Sequence, residues 1–332
     1  MKTLTPSSIL RASLPLVLTF LSSIAYPLDN GSCNFNPQDP HSPDARMIKG
    51  KYQGQCIDTS AKRSLKNLGQ DSANEILVAN YRKNGKFYTA RIDLRKIQKV
   101  SIVAVDLNPA PLNKWGIITV SHTEMRMKFT DSEAIQLIPQ DPSDTPLTDD
   151  DLIISFNYMA PPGVVYNPVK GFKDGLYGSV VQMFSTHDEA NTRFVKQNLN
   201  VYEVDLNLNT EQAGRIIVSA VNTSEANGYN VNYNSYTRNC ASELFLIIDK
   251  ALDIKTRPFR LYPSYLTDAG FIPEVRALGK RKLIDPKSQV ALVNKEFGYE
   301  QFPSDSNRYY NYFLGKTYQN IADLFKYSWH QP

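Results

Sequence analysis

Residues 229–253 read YNVNYNSYTRNCASELFLIIDKALD, and the fold turns on how this stretch divides. An extended, Asn- and Tyr-rich approach ends at Asn239. From there Ala241, Leu244, Phe245, Ile248 and Leu252 recur at helical spacing, one apolar face of an amphipathic helix. Asn239 is a good N-cap, and Glu243 puts a negative charge in the first turn, where the helix dipole favours it. Cys240 is then the first helical residue. A thiol there lies beside unpaired N–H groups and the positive end of the dipole, which favour thiolate. The alternative is a buried structural cysteine, since free Cys is among the most buried residue types.

The rest of the chain bears on that choice through its N-terminus. In residues 1–25, Lys2 and Arg11 flank the apolar run LPLVLTFL, and Ser23-Ile24-Ala25 offers small residues for cleavage, the pattern of a secretory signal cut near Ala25. That run is too short to span a bilayer, and no second long apolar run follows. The sequence therefore predicts an exported protein, periplasmic or extracellular. Export makes disulfides available to its three cysteines. Cys33 and Cys56 flank a Pro/Asp/Gly-rich loop and are the expected pair, leaving Cys240 as the odd thiol. The formal charge of +4 falls close to neutral once the signal is removed, and no dense Lys/Arg block appears, so nucleic acid is not an expected partner.

Hydrophobic patterning predicts an α+β fold: a central antiparallel sheet with the cysteine helix packed on it, preceded by a β-rich region. Residues 75–81 (EILVANY) and 87–94 (FYTARIDL) alternate around Asn84-Gly85, a strong hairpin signal, and 100–107 form a third strand. Pro109 and Pro111 break the chain. Residues 115–129 (WGIITVSHTEMRMKF) read as a long strand that turns at 130–132 and returns over 133–138. Further strands are expected at 153–158, 176–184 and 201–208, and helices at 188–198, 210–221 and 315–327. The resulting division is a signal at 1–25, an N-terminal β-rich region at 26–110, a catalytic domain at 111–257 and a C-terminal extension at 258–332.

A thiolate nucleophile needs a base, most often His, oriented by a third group. Of the four histidines, His41, His187 and His330 lie in polar or terminal segments. His122 alone sits inside a strand, on the face of Ile118 and Val120, and is the best candidate; the alternative is a satisfied strand histidine. If the strand ending at Phe129 pairs with its return, residues near Gln140 or Asp141 fall opposite His122, and Gln140 is taken as the third member. Asp149-Asp150-Asp151 lacks the spaced ligands and glycine turn of a calcium loop and reads as solvated, so neither metal nor cofactor is expected.

Several motifs in this order carry a resemblance. Ser121-His122-Thr123-Glu124-Met125-Arg126 resembles a His-x-x-apolar-Arg strand motif. Gly175-Leu176-Tyr177-Gly178 and VYEVDLNLNTEQ at 201–212 resemble a glycine turn, a strand and a helix start. Tyr233, Tyr236, Asn239 and Cys240 resemble a tyrosine-led Asn-Cys motif. Together, over residues 115–253, they resemble the Lnb-type N-terminal periplasmic domain family. The resemblance implies a papain-like core permuted so that His precedes Cys, with Cys240 as nucleophile and His122 as base. Arg126, Tyr236 and Asn239 match supporting positions. It further implies acyl chemistry: the best-known member moves an acyl chain from the lipid glyceryl group of a lipoprotein to its N-terminal amine. The expected substrate is thus a lipid-linked or acylated protein or peptide, met at a membrane surface without a transmembrane segment. N–H groups at the helix start, with the Asn239 side chain, would meet the oxyanion. Two other readings stay open: a papain-like cell-wall peptidase or amidase, and a non-enzymatic envelope binding protein that keeps the fold. Donor, acceptor, oligomeric state and the choice between hydrolysis and transfer are not legible.

Overall fold

The computed structural model describes residues 33, 45–72, 74–106, 121–165, 176–197, 199–235, 237–256, 258, 272–285, 288 and 290–299. The expected signal segment, the first part of the 115–129 strand, the 315–327 helix, His41, His330 and Tyr236 lie outside the described residues.

The strands are β1 (Lys66–Ser72), β2 (Glu75–Lys83), β3 (Lys86–Asp93), β4 (Ile97–Asp106), β5 (Ser121–Phe129), β6 (Ile135–Pro139), β7 (Leu147–Asp149), β8 (Asp151–Met159), β9 (Tyr177–Ser185), β10 (Val201–Asp205), β11 (Asn232–Tyr233) and β12 (Ala291–Leu292). The helices are α1 (Thr186–Glu189), which runs on into a π turn at Ala190–Phe194, α2 (Thr210–Asn227), α3 (Cys240–Ala251) and α4 (Ile272–Lys280). The fold is thus mixed, with few helices on one large sheet. Its path is β12-β10-β4-β5-β8-β9-β2-β3-β6-β7, with β1 beside β2 and β11 beside β9. Every pairing is antiparallel except β2 with β9, which meet at Arg82 and Phe184. Strands from 66–106 and from 121–205 alternate along this path, so the segments before and after Pro109 build one sheet.

Local sequence explains the elements that shape the site. Asn84 and Gly85 both take positive φ, 53° and 75°, as the tight β2–β3 turn requires. The α3 start is fixed by a reciprocal cap. Asn239 Oδ1 accepts from the N–H of Ala241 (3.0 Å) and Ser242 (2.9 Å), and Ser242 Oγ accepts from the Asn239 N–H (2.9 Å). The N-terminal region is tied by the Cys33–Cys56 disulfide, and Cys240 is free.

β5 lies inside the sheet, and its two faces differ. Met125 and Met127 point into the core shared with α2 and α3, among Ile216, Ile217, Leu244, Phe245, Ile247 and Ile248. His122 and Glu124 stand opposite Val105 and Val103 of β4, and paired residues share a face. Val103 and Val105 belong to the smaller core on the other side, with Ile153, Phe184, Phe194 and Val201. His122 and Glu124 are therefore on the face away from α3.

The expected return strand forms, but elsewhere. β6 pairs with β3 and β7, not with β5, whose neighbours are β4 and β8. The hairpin that would set Gln140 opposite His122 is absent because β5 is already paired on both edges. Asp149 and Asp151 are not in a solvated loop either: both are buried, Asp149 accepting from the Tyr81 hydroxyl at 2.9 Å and Asp151 from Arg126 and Thr186. A helix at Ile272–Lys280 went unread because the prolines around it mask a short apolar spacing, Val275 and Leu278.

Leu244 is fully buried on the α3 face. Leu244→Ala is expected to cost about 2–5 kcal/mol in chemical denaturation, the range for an aliphatic side chain whose cavity only partly collapses. A cost near zero would mean that the helix buries another face.

Candidate active site

The β5–β8 ladder runs from Lys128/Asp151 to Met125/Ile154 and stops there, while β5 continues beside β4 to Ser121 and β8 beside β9 to Met159. A notch opens between the two strands. Cys240, delivered by the α3 N-terminus, enters it from the helix side. The Thr123 N–H, on the strand edge that β8 has left, donates to Cys240 Sγ at 3.5 Å. A backbone N–H of a strand lies in the plane of the sheet, so the thiol sits at that level and meets groups from both faces.

From the far face comes His122, whose ring is near enough to the thiol for each group to shift the other's titration. Its Nε2 lies 2.9 Å from Ser155 Oγ and 3.1 Å from Glu124 Oε1. Ser155 is held in turn by Asn157 Nδ2, at 3.0 Å, which also donates to Gln182 Oε1 at 3.0 Å. From the near face comes Tyr233, whose side chain helps to lower the thiol and whose ring stacks on Phe156, centroids 5.8 Å apart. Behind Glu124, which is wholly buried, Arg193 Nη1 donates to Glu124 Oε1 (3.1 Å) and to Glu189 Oε1 (2.6 Å).

These contacts shift the titration of the groups involved. Burial and the Arg193 guanidinium both favour a neutral His122, but the Cys240 charge and hydrogen bond, with Glu124, outweigh them and raise the ring to about 9. Burial would raise the Cys240 thiol; His122, the Thr123 N–H and Tyr233 reverse this and hold it below the ordinary thiol value. Burial likewise works against the Glu124 carboxylate, and Arg193 and His122 hold it below the ordinary range. These shifts run in the direction of a thiolate with an imidazolium within electrostatic reach, and the Glu124 carboxylate lies 3.1 Å from that ring.

The sequence matches the Lnb N-terminal periplasmic domain over residues 86–267, more than half of the chain. The chain belongs to that family. No curated protein and no solved structure matches it. The Lnb domain match is wider than the span of the sequence motifs at 115–253 and contains His122, Glu124, Ser155, Arg193 and Cys240. It ends before α4.

The site residues expected from sequence divide into three groups. Cys240 and His122 come together. Asn239 and Arg126 are close in sequence but hold structure. The Asn239 side chain is engaged as the cap through Oδ1, and one Nδ2 hydrogen goes to the Ser235 carbonyl at 3.1 Å. Arg126 is bound to Asp151, Glu203 and Glu296. Gln140 stands apart, its Nε2 3.4 Å from the Tyr88 carbonyl across β3 and β6. Glu124, not Gln140, is the residue that lies beside the His122 ring. The signal for Glu124 was present: strand alternation puts a residue two positions from His122 on the same face. Ser155 and Arg193 had no such local signal, and Tyr233 was read only as part of the tyrosine-led motif before Cys240. Among the described residues no cluster of His, Cys, Asp or Glu could hold a metal ion, and no helix is long and apolar enough to cross a membrane.

Proposed function

We propose that this protein is an exported cysteine enzyme with a permuted papain-like core, which transfers or hydrolyses an acyl group through Cys240. The carrying observation is a thiol at a helix N-terminus, lowered by the His122 ring, with a buried carboxylate 3.1 Å from that ring. That is the constellation of nucleophile, base and orienting group that covalent acyl chemistry uses. Membership of a periplasmic domain family supports the exported setting.

The Cys240 thiolate attacks an acyl carbonyl, and the C=O pair moves onto oxygen. As the intermediate collapses, His122 gives its proton to the leaving group and the acyl chain remains on sulfur. An amine or water then attacks the thioester, His122 takes the proton, and the thiolate departs. Glu124 keeps the ring oriented and stabilises its cationic form. A lipid-linked or acylated peptide, presented at a membrane surface, is the substrate class that the family supports.

The test uses p-nitrophenyl butyrate and a synthetic peptide with an S-diacylglyceryl N-terminal cysteine. Intact-mass analysis should find one butyryl group on Cys240. The peptide should either gain an N-acyl chain, which means transfer, or release fatty acid, which means hydrolysis. Cys240→Ser should abolish both reactions, and His122→Ala should slow acylation by about 10²–10⁴-fold, the range for a general acid–base group. Wild-type protein that is never acylated at Cys240 would refute the enzyme reading and favour an envelope binding protein.

A further inference from the structure

Glu274, in the first turn of α4, is 2% exposed and lies outside the span that matches the family. Its Oε1 accepts from the Thr123 hydroxyl at 3.2 Å, and its Oε2 has no hydrogen-bond partner. No cation pairs with it among the described residues. Thr123 is the residue whose N–H holds the Cys240 sulfur. One residue thus touches the thiol with its backbone and Glu274 with its side chain, which brings the carboxyl within electrostatic reach of the sulfur.

A buried carboxyl without a counter-charge is costly as an anion. Here burial pushes Glu274 up, its own backbone N–H works against this, and the Cys240 charge adds to the rise, leaving the carboxyl at about 8. At neutral pH it carries its proton. Because Oε1 is the acceptor for Thr123, the proton belongs on Oε2, an O–H donor with nothing to bind. A carboxylic acid kept neutral in an apolar site is a known form of oxyanion donor. The helix start supplies little else. The Ala241 and Ser242 N–H groups are taken by Asn239 Oδ1, and the Cys240 N–H is what the cap leaves over.

We propose that Glu274 is the side-chain oxyanion donor of this site, its Oε2–H hydrogen-bonding the acyl oxygen while the tetrahedral intermediate sits on Cys240. This rests on the reading of Cys240 as an acyl-accepting nucleophile. The S–C bond forms, the C=O pair moves to oxygen, and Glu274 donates to that oxygen without giving up its proton. When the C=O re-forms, the leaving group is expelled and Glu274 is unchanged.

Two reagents separate this role from all others. p-Nitrophenyl acetate acylates a thiolate through an oxyanion, and its leaving group needs no proton. Iodoacetamide alkylates the same thiolate by displacement, with no oxyanion. Glu274→Leu should lower the acylation rate by about 10²–10³-fold, the cost of one oxyanion donor, with alkylation within about threefold of wild type. Glu274→Gln, whose amide restores a donor, should recover most of the acylation. The wild-type ratio of acylation to alkylation should also fall as pH rises through about 8, and stay level in Glu274→Gln. The ratio cancels the thiol's own titration and that of the groups around it, His122 and Glu124 of β5, Glu189 and Arg193 after β9, and Tyr233 of β11. That measurement needs only the wild type and the isosteric variant, should Glu274→Leu not fold. An equal fall in both rates, no fall in either, or a ratio with the same pH course in wild type and Glu274→Gln overturns the donor role alone. A wild-type Cys240 that reacts with neither reagent overturns the nucleophile reading, and this inference with it.

Discussion

His122→Ala is expected to move the reaction of Cys240 with iodoacetamide to higher pH, with at least about a tenfold loss of rate at pH 7. The sign follows from what opposes burial at the sulfur. Burial raises the thiol, and the first influence that brings it down is the positive His122 ring. Without the ring the thiolate loses its counter-charge and its hydrogen bond, and the neutral thiol is favoured. One pKa unit is about 1.36 kcal/mol and a factor of ten in thiolate at a pH below the pKa. The loss should be partial, because the Thr123 N–H and the Tyr233 hydroxyl still stabilise the anion. Glu124→Gln should shift the profile in the same direction by less, since it weakens the imidazolium without removing the ring. His187→Ala is the control, an exposed residue of α1. Identical pH–rate profiles in wild type and His122→Ala would refute the thiolate–imidazolium pair.

The two halves of the proposed pair were read from the sequence for different reasons. Cys240 was found from one continuous stretch, because a cap and an apolar repeat are local and the chain around 239–252 obeys both. His122 was found by elimination among few histidines. What was missed depends on which strands are neighbours. Consecutive strands usually pair, and the reading of 115–138 as a hairpin followed that tendency. The chain instead passes β6 and β7 to the far edge of the sheet and returns with β8 beside β5. That return brings Ser155 to His122 and lets the ladder end early, which makes the notch for the thiol. Glu274 is still more distant, 151 residues from its partner Thr123. No local rule connects them. Asp149 and Asp151 show the same limit in another form: a run of three aspartates looks solvated until the sheet brings Tyr81, Arg126 and Thr186 against it.

The Arg126→Met variant is expected to lose about 3–5 kcal/mol of stability at neutral pH, the range for removing one partner of a buried ion cluster. Arg126 is 3% exposed and joins three elements to β5. Its Nε donates to Asp151 Oδ1 and Oδ2 at 2.9 and 3.0 Å on β8, its Nη1 to Glu203 Oε2 at 3.1 Å on β10, and its Nη2 to Glu296 Oε1 at 2.6 Å. Methionine fills much of the space but leaves these carboxylates without their cation. Asp151 is already pushed up by burial, with Arg126 the main force against that, so the variant's Asp151 should take up a proton more readily. Glu203 and Glu296 resist burial with the help of Arg126 and their lysines, and both sit below the ordinary range, Glu296 at about 2. A carboxyl with a depressed folded pKa contributes stability above its unfolded value, about 4.3, and loses it as pH falls through the folded value. The wild type holds that contribution at neutral pH and the variant does not. The gap between them should therefore be widest near pH 7 and narrow towards pH 4, as protonation removes the unpaired charges. Folded Arg126→Met should keep the wild-type pH profile of Cys240 alkylation, because Arg126 contacts neither His122 nor the thiol. A variant of undiminished stability with altered Cys240 reactivity would move Arg126 from the framework of the sheet into the site.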